Sequence, residues 1–438
     1  TYLDGITVMS TQVKKILIDN GVSIPIDICQ LGVDHICLNE KEEYVHFDKD
    51  SYKFLHISSC FPRKGIRFLL EAYGKSFSGN NDVMLIIKTF NNPHNKLQEI
   101  LRSFQVSNPD FPYVQIINEE LSSSQIKFLY NNCNCLVSPS LGEGFGLPIG
   151  EAMLNLIPVI TTGWGGQMDF CNHNNCWLVD YKFNYADTHF NLFNSVWAEP
   201  NVDDLSRCMN EVYHADKSTI SSKIKNANLT IESFTWENTV KANLEFFKKL
   251  QLNNNIRDTL VGVVTSWNQK CGIFNYSKNL FNNFNSQPLI FAPNDQTLIQ
   301  NDEVFVNRCW FYEDKDLTNL IRNVINSRLS TLVIQFNFGF FNLQSLSSLI
   351  QVLKSKSISI IIIFHSTKFP ECNNLKNLNL IVKELSLCDR LLVHSPNDLN
   401  NLKSLGLVDN VALFPHGVNV SEHSTEEMFK KQTSLSFK

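Results

Sequence analysis

In the stretch GEGFGLPIGEA, residues 142–152, two carboxylates, Glu143 and Glu151, flank a loop of glycines and Pro148. Gly142, Gly144 and Gly146 let backbone N–H groups reach a ligand without side-chain obstruction. Pro148 suits a first helical turn, where its missing N–H is not needed. The helix beginning there offers unpaired N–H donors and the positive end of its dipole, which suits phosphate. Glu151 is expected in that first turn. Carboxylates repel phosphate but accept hydrogen bonds from hydroxyls. A nucleotide-sugar carries both groups, so its diphosphate can face the N–H donors while its ribose and hexose hydroxyls face the acids. A hydrogen bond to a charged group contributes about 1.5–3 kcal/mol, enough to fix orientation. By residue type alone, Glu151 reads equally as a helix-stabilising acid and Glu143 as a surface charge.

The elements that must position these residues are legible as alternating patterns. Short apolar runs at 53–58, 83–89, 113–117, 135–138 and 158–162 read as strands. Helical patterns lie between them at 65–77, 123–132 and 149–155, and three more helices follow within 202–250. Such alternation implies a parallel sheet covered by helices on both faces. After the polar stretch QLNNNI the pattern resumes, with strands expected at 259–266, 331–337, 360–364, 390–395 and 411–415. The chain therefore reads as two α/β units, 36–250 and 256–420.

A repeat frames both. DGITVMSTQVKKILIDNGVSIPIDICQLGVD from Asp4 aligns without a gap to DRLLVHSPNDLNNLKSLGLVDNVALFPHGVN from Asp389. Asp4 and Asp389, Ser10 and Ser395, Leu17 and Leu402, Gly21 and Gly406, and Gly32 and Gly417 all stand 385 residues apart. That period is too long for a solenoid and fits a complete two-domain enzyme. The chain reads as a window on a tandem protein. Residues 1–35 would be the tail of a preceding unit's first domain (acceptor-type, by the family resemblance given below), and 421–438 a linker and the start of a further domain. The two units would then not share one active site; a permuted arrangement, with 256–420 folded over the Glu143 loop, is the rival.

Composition narrows the class. A net charge of −5 across 438 residues argues against nucleic-acid binding. The 12 cysteines form no CxxC pair and no zinc spacing, which reads as reduced thiols in a cytoplasmic protein. No apolar run is long enough to span a bilayer. No GxxxxGK[ST] phosphate loop is present. The pairs Asp48/Asp50 and Asp314/Asp316 fit Asp-x-Asp but read as surface charge, so no metal is expected.

SPSLGEGFGLPIGEAM, with seven residues between Glu143 and Glu151, resembles the signature of retaining glycosyltransferases of family 4, the group 1 glycosyltransferases. The resemblance implies a GT-B fold of two Rossmann-like parallel-sheet domains. It implies that Glu143 lies by the donor hexose and Glu151 by the nucleotide ribose, and that the loop Gly144, Phe145, Gly146 and Leu147 meets the hexose or phosphate. HISSCFPRKGIRFLLEAY, residues 56–73, looks like the family's first strand–loop–helix, in which Lys64 matches the lysine on the donor diphosphate. The family often has an arginine where this chain has Ser58; Arg63 stands nearby. Residues 163–170, GWGGQMDF, would form another loop of the cleft or a plain glycine turn. In the second unit Gly272 would approach a donor phosphate, and His365, after a buried strand, matches the histidine bordering the reacting sugar.

The resemblance implies a hexosyltransferase in polysaccharide biosynthesis that takes a nucleotide-diphosphate sugar, needs no cofactor, and uses a glycan or lipid-linked glycan acceptor. Lys64 and the helix start would stabilise the leaving diphosphate. FPRKG and GEGFGLP resemble stretches of polysaccharide mannosyltransferases, which points to GDP-mannose as a guess at the donor. A cytoplasmic location is expected, with peripheral contact at the inner membrane left open. A sugar-nucleotide epimerase and a non-catalytic glycan-binding unit stand as alternatives.

Overall fold

The alternating pattern is realised as two α/β units, Thr1–Arg257 and Asp258–Lys438. The computed structural model describes residues 3–37, 43–188, 195–252, 260–281, 284, 286–294, 298–368 and 374–417. The expected start of a further domain at 421–438, and Asn253–Ile256 of the expected linker, lie outside the described residues. Among the described residues no helix is long and apolar enough to cross a membrane.

Unit 1 begins with a parallel strand–helix–strand piece, β1 (Ile6–Val8), α1 (Thr11–Asp19) and β2 (Ile26–Ile28). Then follow β3 (Tyr52–Ile57), α2 (Ile66–Phe77), β4 (Val83–Lys88), α3 (Leu97–Ser107), β5 (Val114–Ile117), α4 (Ser123–Asn132), β6 (Cys135–Ser138), α5 (Leu147–Leu154), β7 (Val159–Thr162) and β8 (Trp177–Val179). An antiparallel pair, β9 (Tyr181–Tyr185) and β10 (Val196–Pro200), precedes α6 (Val202–His214), α7 (Lys217–Ile231) and α8 (Trp236–Leu252).

Strands β3 to β8 form one parallel sheet in the order β5-β4-β3-β6-β7-β8. The pleat sends alternate side chains to two cores. Leu55, Met84 and Ile86 pack on one face with Ile149 and Met153 of α5. Phe54, Val83, Leu85 and Ile87 pack on the other with Leu69, Leu70 and Tyr73 of α2. Strand order reverses between β3 and β6, so their carboxyl ends open a crevice of the kind in which doubly wound sheets bind ligands.

Unit 2 repeats the design with β11 (Val261–Val264), α9 (Gly272–Phe281), β12 (Leu289–Pro293), β13 (Val306–Trp310), α10 (Thr318–Asn326), β14 (Thr331–Phe336), α11 (Leu343–Ser355), β15 (Ser359–Phe364), α12 (Val382–Leu387), β16 (Arg390–Val393), α13 (Pro396–Ser404) and β17 (Val411–Leu413). Its seven strands run parallel in the order β13-β12-β11-β14-β15-β16-β17.

The 385-residue repeat is structural as well as sequential. Helix α1 maps onto α13 and β2 onto β17 at the same offset. The pairs Ile6↔Ile26 and Val8↔Ile28 map onto Leu391↔Val411 and Val393↔Leu413. Ser10 and Ser395 cap their helices alike, each accepting from the backbone N–H three residues on at 3.2 Å. Gly21 and Gly406 both end their helix in the left-handed region, at φ 87° and 81°.

The 1–35 stretch packs within unit 1. Val33 and Ile36 are buried in the α5 core, and Val33 N–H donates to Phe234 O at 2.9 Å.

Candidate functional site

Lys64 ends a single 3₁₀ turn, Pro62–Lys64, at the carboxyl end of β3, and Gly65 closes it at φ 73°. Glu143 stands in the loop that leaves β6. Leu141 N–H donates to Arg63 O at 2.7 Å, tying the two loops together across the crevice. Gly65 makes this approach possible: a Cβ there would lie 2.0 Å from Pro139 O. Gly65→Ala combines left-handed strain with that clash and is expected to cost at least about 2 kcal/mol of unit 1 stability. Urea unfolding measures it, and an unchanged midpoint would show that the loops can part freely.

The Lys64 ammonium donates to Glu143 Oε1, Ser140 Oγ donates to the same oxygen at 2.8 Å, and Arg63 Nη1 lies 3.4 Å from Oε2. Arg63 also donates to Gly142 O at 2.9 Å. The side chains of Glu143 and Lys64 are 8% and 13% exposed. Burial pushes the Glu143 carboxyl up, but Lys64, Arg63 and the Ser140 hydroxyl outweigh it and hold the group below the usual carboxylate range. The expected catalytic pair is therefore in contact, with Arg63 at its exposed rim.

Ser58, where an arginine is common, has another occupation. His56 Nδ1–H donates to Val137 O at 2.7 Å, which leaves Nε2 to accept from Ser58 Oγ at 2.7 Å. The imidazole is buried and pulled down to about 4, chiefly by desolvation. It stays neutral and adds no charge to the phosphate side of the crevice.

Glu151 lies two helical positions deeper than expected, in the second turn. Helix α5 starts at Leu147, two residues before the sequence pattern suggests, and has no acid in its first turn. Pro148 and the left-handed Gly146 cap set that start. Both Glu151 oxygens are held: Tyr130 OH donates to Oε2 at 2.7 Å, and His35 Nε2 lies 3.0 Å from Oε1. Trp236 Nε1–H donates to His35 Nδ1 at 3.2 Å, so Nε2 carries the proton given to Glu151. Sequence reasoning missed His35 and Tyr130, because they arrive from other elements with no local motif.

Between the two acids the backbone is left available. The Phe145 side chain is buried against Phe170 and Phe234. The N–H groups of Gly144, Phe145, Gly146 and Leu147 donate to nothing among the described residues. The 163–170 stretch backs this loop: Gly166 N–H donates to Glu143 O at 2.8 Å, and a Cβ on Gly166 would lie 2.0 Å from Gly144 O. The first strand–helix–strand closes the other side, with Ser10 Oγ donating to Gly144 O at 2.5 Å and Thr11 N–H to Asp169 Oδ2 at 2.9 Å.

In unit 2, Gly272 begins α9 with open space where a Cβ would be. His365 follows β15, its Nε2 2.7 Å from Gln335 Oε1. In the Asp-x-Asp pairs, Asp48 accepts from Tyr113 OH, 65 residues away, at 2.5 Å, and Asp316 accepts from Thr318 N–H at 2.8 Å ahead of α10. All eleven cysteines among the described residues are free.

Residues 39–228 match the family model described as glycosyl transferases group 1. Unit 1 carries a group 1 glycosyltransferase domain. The chain is 28% identical over 169 residues to an uncharacterized glycosyltransferase of Methanocaldococcus jannaschii, covering 37% of this chain and 40% of that protein. It is 27% identical over 129 residues to the capsular polysaccharide biosynthesis glycosyltransferase CapM of Staphylococcus aureus, covering 30% and 32%. The matches thus span less than half the length of these relatives. A solved glycosyltransferase from Rickettsia africae is 19% identical with a TM-score of 0.46, covering 57% of this chain and 64% of that one. So distant a likeness adds nothing to the topology above. Within the glycosyltransferase domain, Lys64, Glu143 and Glu151 all lie inside the matched span.

Proposed function

We propose that the chain takes part in moving a hexosyl group from a nucleotide-diphosphate sugar to a hydroxyl of a growing glycan, with anomeric configuration retained. One observation carries this reading. At the strand-order reversal, Lys64 and Arg63 converge on a buried Glu143 beside a helix start whose loop N–H groups are free to donate. A diphosphate fits the lysine and the N–H groups, and sugar hydroxyls fit the two carboxylates. Lys64 and the amides would stabilise charge on the leaving diphosphate. Glu143 would accept from a hexose hydroxyl, and Glu151, steadied by His35 and Tyr130, from the ribose. The leaving group is already good, so no acid/base pair need cleave the donor.

The structural repeat supports a tandem arrangement. Unit 1 is read as a donor-binding domain, and unit 2 as the acceptor-type first domain of a second glycosyltransferase unit. The polysaccharide role follows the resemblance, and GDP-mannose is the first donor to try.

Calorimetry of the chain against GDP- and UDP-sugars in excess EDTA tests the donor site. Binding of at least one of them without divalent metal is expected. No binding across a broad panel, or binding that appears only with Mg²⁺ or Mn²⁺, overturns the reading.

A further inference from the structure

Strands β15, β16 and β17 are parallel neighbours, and each is followed at its carboxyl end by a histidine. His365 comes directly after Phe364, His394 directly after Val393, and His416 three residues after Leu413. The register sets Phe364 beside Val393 and Val393 beside Leu413, which levels the three ends. One ring nitrogen from each histidine lies within 4.8 Å of the others. The His394 and His416 rings stack with centroids 3.7 Å apart, and the Tyr276 ring packs edgewise on all three. This cluster lies away from the strand-order reversal of unit 2, which falls between β11 and β14.

The hydrogen bonds fix which nitrogens are free. His394 Nδ1–H donates to Phe414 O at 2.7 Å. Its Nε2 is left with a lone pair, buried and without a partner among the described residues. His365 Nε2–H donates to Gln335 Oε1 at 2.7 Å, which frees Nδ1. Rings that merely packed together would leave the His394 lone pair unsatisfied, a cost of about 1–3 kcal/mol. Neutral imidazoles whose second nitrogen is held by a carbonyl or amide oxygen have the arrangement of metal-ligating histidines.

We propose that His365, His394 and His416 hold one transition-metal ion of the zinc class at the carboxyl edge of β15, β16 and β17. Three nitrogen donors suit Zn²⁺, Co²⁺, Ni²⁺ or Cu²⁺, whereas Mg²⁺ and Ca²⁺ call for oxygen. At bond lengths of about 2.0–2.1 Å the three nitrogens would stand about 3.4 Å apart, so on binding they close in from as much as 4.8 Å and the exposed His416 ring turns out of its stack on His394 to aim its lone pair at the ion. Three protein ligands leave a fourth position open. Metal ligation replaces, for His365, the sugar contact that the family resemblance implies. The site goes beyond the donor reading of unit 1, and its test involves no sugar.

Titrating the full chain with Co²⁺ alone, followed by visible absorption, tests it, with Zn²⁺ displacement as confirmation. One equivalent with the bands of a tetrahedral or five-coordinate nitrogen site is expected. His394→Gln and His416→Gln should each weaken binding at least about 100-fold, and Gln335→Leu about tenfold through lost orientation of His365. Circular dichroism of each variant checks folding, and the metal-induced rise in melting temperature should vanish with the binding. Unchanged stoichiometry and affinity in the triple variant His365→Ala/His394→Ala/His416→Ala overturns the proposal. So does a thiolate-to-cobalt charge-transfer band, or no binding at all by the wild-type chain.

Discussion

Replacing Lys64 by alanine is expected to destabilise unit 1 by about 3–5 kcal/mol, more than removing Lys64 and Glu143 together. The single change leaves a carboxylate that is 8% exposed without its main counter-charge. Arg63, at 3.4 Å and 45% exposed, compensates only in part. The double change Lys64→Ala/Glu143→Gln removes the uncompensated charge, so much of the stability should return. The pH dependence carries the same sign. In the wild type the Glu143 carboxyl is held low, so its contribution is present above the unfolded carboxylate range and fades as pH falls through the folded value. Without Lys64, burial dominates and the folded value rises, so the deficit of Lys64→Ala should shrink between pH 7 and pH 5. Urea unfolding at several pH values, followed through the tryptophans of unit 1, measures both effects. If the single and double variants are equally unstable at every pH, the pair is not a charge-compensated unit. Under the proposed function, Lys64→Ala should also lower donor turnover by about 10²–10³-fold through lost stabilisation of the leaving diphosphate.

The sequence was readable where chemistry and fold are local. A strand buried on both faces is a continuous apolar run, and β4 is buried throughout. The expected 123–132 and 135–138 elements coincide with α4 and β6. Shorter or mixed strands escaped. β13 carries Asn307 and Arg308, which blur its pattern, and β12 ends in Pro293, where the register shifts. The helix α3 and the β9–β10 pair also went unread. At the site, Lys64, Glu143 and Glu151 were legible because a single motif and a single loop carry them. Their supports were not: His35 is 116 residues from Glu151, and Ser140 reads as an ordinary loop serine. The three histidines of unit 2 have no metal-binding spacing and meet only because three consecutive strands end side by side.

Glu143→Gln and Glu151→Gln are expected to differ in nucleoside-diphosphate affinity, the first holding or raising it and the second lowering it. In the unliganded crevice the Lys64 ammonium is committed to Glu143. A diphosphate must compete with that carboxylate for the same cation. Glutamine at 143 keeps the size and an acceptor for Ser140 but removes the negative charge. Lys64 then becomes free for phosphate, so affinity for GDP or UDP should hold or rise. Sugar transfer should nevertheless fall by about 10²-fold or more, because the charged acceptor beside the hexose is gone. Glu151 has no cation to release. Its partners are Tyr130 OH and His35 Nε2–H, two neutral donors that a glutamine oxygen can retain in part. Glutamine there loses a charge-assisted bond to ribose, worth about 1.5 kcal/mol or more, so affinity should fall at least about tenfold. Alanine would be a poorer probe at 151, because it leaves the buried Tyr130 hydroxyl only the long 3.4 Å bond to Pro148 O and mixes folding with binding. Calorimetry with GDP and UDP, paired with donor-consumption rates, separates the two residues. If both glutamine variants weaken nucleotide binding alike, Glu143 is not holding Lys64 back from the diphosphate, and the division of hexose and ribose between the two acids is wrong.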